Sequence, residues 1–114
     1  MEDAARLERI RAVSDALFGA KHRLPVAAAV ARSTSDGLYA AQLVGEVKAS
    51  DAQVGTELRH LHSAGLLVVI ERDRNWARRG RQPRRYRKQE SEFWELATKL
   101  AAEAATRNLP RSSM

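Results

Sequence analysis

The chain contains no cysteine. That excludes disulfides, thiolate metal ligands and a thiol nucleophile. Histidine is scarce, at three residues. His60 and His62 stand two positions apart, which turns them to different sides of a helix and makes no metal pair. Aromatic residues make up only 5% of the chain, and there are three prolines. No run approaches the ~20 apolar residues of a membrane span. The glycines are isolated, with neither a phosphate-binding loop nor a Gly-x-Ser-x-Gly elbow. These absences point away from an enzyme and from any metal or cofactor. The N-terminus, Met1-Glu2-Asp3-Ala4-Ala5-Arg6, starts acidic and lacks an apolar signal core, so a cytoplasmic address is expected.

The charge that is present is unevenly distributed. The chain has 114 residues, the size of one domain, with a formal net charge of +6. Residues 71–90 hold nine basic side chains: Arg72, Arg74, Arg78, Arg79, Arg81, Arg84, Arg85, Arg87 and Lys88. Against them stand three acidic ones, Glu71, Asp73 and Glu90, so this segment carries the whole net charge. A basic block on an otherwise balanced chain reads as a phosphate-facing surface, and its bland counterpart is a solvated loop.

The apolar pattern predicts an order of α-α-α-α-β-β-α, mainly α with a small β-hairpin. Residues 3–18 form an amphipathic helix with Leu7, Ile10, Ser14, Leu17 and Phe18 on one stripe. Pro25 sits in the first turn of a second helix, over 25–33. A third spans 38–47, and Lys48-Ala49 makes a tight connection. Ser50 opens the fourth helix, over 50–64, and Ser50 with Gln53 fits a capping box. Val54, Leu58 and Leu61 are its buried stripe, and Gly65 ends it. Residues 66–70 and 82–88 read as paired strands around a turn, with Trp76 packed locally at its tip. Ser91 caps a last helix with Phe93, Trp94, Leu96, Ala97, Leu100, Ala101 and Ala104 on one broad face. The domain is expected to cover 1–108, with residues 109–114 a disordered tail.

Two stretches resemble a known family. Leu58, Leu61 and Ala64-Gly65-Leu66 are similar to the end of the reading helix in winged helix-turn-helix transcriptional regulators of the PadR, ArsR and MarR type. Gly80-Arg81-Gln82-Pro83-Arg84-Arg85-Tyr86 resembles the return strand of a PadR-like wing. Lys48-Ala49 stands where such proteins often place glycine. The resemblance implies a bacterial, nucleoid-associated regulator, commonly a repressor, that binds duplex DNA. The helix at 50–64 would enter the major groove and the basic wing at 66–88 would follow the backbone or minor groove. The expected DNA contacts are Ser50, Gln53, Thr56, Arg59 and His60, with Arg72, Arg74, Arg78, Arg79, Arg81, Arg84 and Arg85 on the wing. Gln53 serves equally well as a cap, and Arg59 equally well on a phosphate.

The apolar faces of the terminal helices predict a homodimer. The last helix, at about 16 residues or ~24 Å, is longer than a small core can cover. Leu7, Ile10, Leu17, Phe93, Trp94, Leu96, Ala97, Leu100, Ala101 and Ala104 are the expected self-contacts. Two-fold pairing would set the reading helices about one DNA turn apart, ~34–36 Å, on a pseudo-palindromic operator. A pocket near Phe93 and Trp94 would leave room for a small-molecule effector. The competing reading is a winged helix module that binds structured RNA or a protein partner.

Overall fold

The computed structural model describes residues 2–34, 37–70 and 84–106. Five helices and one antiparallel strand pair follow in order: α1 (Glu2–Phe18), α2 (Arg23–Arg32), α3 (Ala41–Val47), α4 (Asp51–Ser63), β1 (Leu67–Val69), β2 (Tyr86–Lys88) and α5 (Phe93–Thr106). This is the mainly helical class with a small hairpin that the sequence pattern predicts.

Helix α2 is the hub. Leu24 to Val30 are all buried. A helix apolar on every side must be covered on every side, and α1, α3, α4 and α5 all pack on it. One side belongs to the main core with Leu43, Val47, Val54, Leu58, Leu61, Leu67 and Tyr86. On the other, Leu24 and Ala28 meet Ala101 and Ala104 of α5, with Ile10 and Val13 of α1 alongside. The α1–α2 junction is held by Ser14, whose hydroxyl accepts from the Leu24 N–H at 2.9 Å and donates to the Ala20 carbonyl. Its place on the predicted apolar stripe thus has a polar cause. It satisfies one of the unpaired donors at the start of α2.

Local chemistry fixes α4. The Ser50 hydroxyl accepts from the Gln53 N–H at 3.1 Å, and the Gln53 side-chain oxygen accepts from the Ser50 N–H at 2.9 Å. The capping box is therefore closed from both sides. Replacing Ser50 with alanine is expected to lower stability by about 1 kcal/mol, read as a shift in the urea midpoint with an unchanged slope. At the other end the Gly65 N–H bonds the His62 carbonyl and the Leu66 N–H bonds the Leu61 carbonyl, at 3.0 and 2.9 Å. These two bonds make a Schellman ending, which requires the left-handed φ of 84° found at Gly65.

The turn before α4 is unusual. Lys48 takes a left-handed conformation, φ 52° and ψ 52°, that a side-chain-bearing residue adopts at a cost of roughly 1 kcal/mol. Arg11 of α1 reaches under this turn and donates to the Val47 and Lys48 carbonyls at 3.0 and 2.8 Å. Those are end-of-helix acceptors that α3 cannot satisfy itself.

The hairpin pairs Leu67 with Lys88, Val68 with Arg87 and Val69 with Tyr86. β1 is one residue shorter at each end than the predicted 66–70; β2 ends at Lys88 as predicted and begins at Tyr86, with residues 82 and 83 of the predicted strand outside the described residues. Leu38 forms an antiparallel bridge to Tyr86, exchanging N–H···O bonds of 2.7 and 2.8 Å. This is why α3 starts at Ala41 rather than at the expected residue 38: Leu38 is occupied as a strand residue. Lys88 then donates to the Ala31 and Ser33 carbonyls and closes the C-terminal end of α2.

The face of α5 is a correction. Trp94, Ala97, Ala101 and Ala104, expected at a self-contact, are buried within the chain because α1 and α2 lie across them. Ile10 and Leu100 pack on the same cluster. Leu17 and Leu96 remain outside, 59% and 61% exposed, while Leu7 and Phe93 are half-buried. Residues 107–114, including the predicted tail, lie outside the described residues.

Candidate nucleic-acid interface

Helix α4 divides cleanly. Val54, Leu58 and Leu61 point into the core and are 0%, 0% and 5% exposed. Ser50, Asp51, Ala52, Gln53, Arg59, His60 and Ser63 face outward, and Thr56 is half-buried. The outward face is already organised. Thr56 donates its hydroxyl to the Ala52 carbonyl at 2.9 Å, and Arg59 donates to the Thr56 hydroxyl at 3.1 Å. The Arg59 guanidinium is thereby folded back along the helix toward its N-terminal half. Gln53 is engaged in its cap, so reaching a base would require it to leave the Ser50 N–H.

Gly55 lies on this side too. A methyl group there would meet only the Arg59 guanidinium, at 3.7 Å, which is ordinary contact. Glycine inside a helix costs up to ~1 kcal/mol relative to alanine. Gly55→Ala is therefore expected to raise stability by about 0.5–1 kcal/mol, measured by thermal or urea unfolding. If this face meets a phosphate backbone closely, the same variant should lose affinity while gaining stability.

The underside of α4 holds an ion pair. Glu57 is 7% exposed, and its carboxylate accepts from Arg23 Nε at 2.9 Å. The pair ties the centre of α4 to the first turn of α2. His22, which precedes that turn, is buried, and its Nδ1 has no hydrogen-bond partner among the described residues. Burial pushes its pKa below the ordinary 6.5, and the positive charges of Arg11 and Lys21 push the same way against the opposing pull of Glu57.

Of the basic segment, Arg84 is exposed and Arg85 half-buried. The Arg85 side chain crosses Gly37 so closely that a Cβ there would overlap the Arg85 guanidinium. Arg85, expected on DNA, is thus laid against the segment before α3. Arg72, Arg74, Arg78, Arg79 and Arg81, together with Trp76, lie outside the described residues. Sequence reasoning missed Arg11, Arg23 and Lys88. Each acts on a segment far along the chain, so no spacing rule signals it.

Among the described residues no three His, Asp or Glu side chains converge as a metal ion would require. No helix of the described residues is long and apolar enough to cross a membrane. Set against family models, curated proteins and solved structures, the chain finds no match.

Proposed function

We propose that this protein is a winged helix regulator that reads duplex DNA with α4 and grips its backbone with the basic hairpin. The observation that carries the reading is the two-sided character of α4. It is capped at both ends and pinned to α2 from below by Arg23, and its outward face carries the exposed polar side chains Gln53, Arg59 and His60, with exposed Ala52 and half-buried Thr56 between them. The hairpin follows directly from its Schellman ending, and the segment 71–90 that includes its return strand holds nine basic residues in the sequence. A helix of this kind fits the major groove, where each base pair offers a distinct donor and acceptor pattern. The flanking arginines suit phosphates or the minor groove.

Repression follows from occupancy, with no catalytic step. Two copies would bind a pseudo-palindrome, paired through α1, where Leu7 and Leu17 stand outside the main core.

Selection of bound duplexes from a random pool tests the reading. The expected outcome is a defined half-site whose preference over random DNA falls at least tenfold in Gln53→Ala, Thr56→Ala or Arg59→Ala. Full discrimination by all three variants would remove α4 as the reader. A parallel salt titration against structured RNA is expected to favour the duplex. Tighter binding to the RNA would transfer the basic hairpin to an RNA-binding module.

A further inference from the structure

An open-sided cavity of about 440 Å3 lies where the end of α1, the start of α2, the end of α4 and the first half of α5 meet. Its floor is apolar, from Leu24, Ala27, Leu61, Leu66 and Leu100. Phe18 and Leu96 stand at its edge, 44% and 61% exposed. Of all the residues that line it, only Arg23 and His60 are polar. Volumes of roughly 300–1,000 Å3, mostly apolar with a few placed polar groups, are what small-molecule sites share.

Arg23 supplies the charge complementarity. Its Nε is taken by Glu57, and among the described residues its side chain has no other hydrogen-bond partner. A guanidinium carries five donors in a fixed fork, so the terminal nitrogens are left to serve an acceptor at the cavity wall. A second copy of the chain is a poorer fit. Leu96 is the one large apolar side chain of α5 that stands well exposed, since its alanine face is buried inside the protomer. That leaves a second copy a single exposed leucine of α5 to bury beside the groove.

We propose that this cavity binds an amphipathic carboxylate, its apolar body over Leu24, Leu61 and Leu100 and its carboxylate on the terminal N–H groups of Arg23. His60, on the α4 wall, offers a further N–H donor. The site stands whether or not α4 meets DNA, so its test uses the free protein.

Octanoate and 1-octanol, equal in chain length and different in charge, are titrated into the 15N-labelled full chain. Octanoate is expected to give saturable shifts confined to the amides around Leu61, Leu66, Leu96 and Leu100, with 1-octanol at least tenfold weaker. Arg23→Leu alone would strand the Glu57 carboxylate, so it is combined with Glu57→Leu. That double variant is expected to weaken octanoate at least tenfold and to leave 1-octanol unchanged. Leu96→Glu, at an exposed position that does not threaten folding, places a negative charge on the rim and should weaken octanoate more than 1-octanol. The proposal is overturned by the absence of saturation, by equal binding of the alcohol, or by wild-type octanoate affinity in Leu96→Glu. It is also overturned if the same amides shift with protein concentration instead of octanoate, because a second copy would then fill the groove.

Discussion

Arg23→Leu is expected to destabilise the fold by about 3 kcal/mol, with the loss located at the α2–α4 contact. The reasoning concerns the group left behind. The Glu57 side chain is only 10% exposed, and the Arg23 side chain is 29% exposed. Removing the cation leaves a carboxylate in a place where water cannot replace the lost donor. The estimate sits at the low end for buried pairs because Arg23 is itself partly hydrated. Replacing both members by leucine removes the stranded charge, and most of the loss should return. Urea unfolding of the two single variants and the double variant forms a closed cycle. Additive losses in that cycle would mean that the two side chains do not support each other and that α4 is held by its apolar stripe alone.

The largest effect on binding is expected from Arg78→Ala, Arg79→Ala and Arg81→Ala combined. Each phosphate neutralised by a basic side chain releases condensed counterions, and the logarithm of affinity falls with the logarithm of salt by ~0.9 per contact. Losing three contacts should flatten that slope by about 2.7 and lower affinity for every duplex on the order of a hundredfold at low salt. The far-ultraviolet circular dichroism should not change, because the helical core is built from other residues. Sequence preference should also survive, since phosphate contacts position a protein without reading bases. An unchanged slope and affinity would take the hairpin out of the interface and leave α4 without its proposed anchor.

What could be read from the sequence was what is decided locally. Ser50 and Gln53 are three residues apart, and so are the groups they cap. Gly65 follows directly on the helix it ends. The helical phase of Glu57, one residue before Leu58, likewise places it on the core side of α4. The partners were a different matter. Nothing near Arg11 in the chain announces the turn at Lys48, and nothing near Lys88 announces the end of α2. The alanines of α5 show the limit most clearly. An apolar stripe states that a face must be covered, and the same stripe arises whether the cover is α2 of the same chain or a second copy. Ala101 and Ala104 found theirs within the protomer. Leu38 was read as helical for a related reason, since its strand partner is Tyr86, far along the chain.

That bridge bears on the order in which the molecule assembles. Helices gain their hydrogen bonds from neighbours in sequence and need little chain closure, whereas Leu38 and Tyr86 meet only after the whole segment between them has been looped. A strand pair of three residues on each side is too small to persist in water without further packing. The hairpin therefore depends on α3 and α4 being in place to hold Leu38 within reach. Among the described elements it is expected to close after α3 and α4 and to open before them. Its amides should exchange with deuterium through openings that leave α2 and α4 protected, so the strand pair can part and re-form on a folded scaffold.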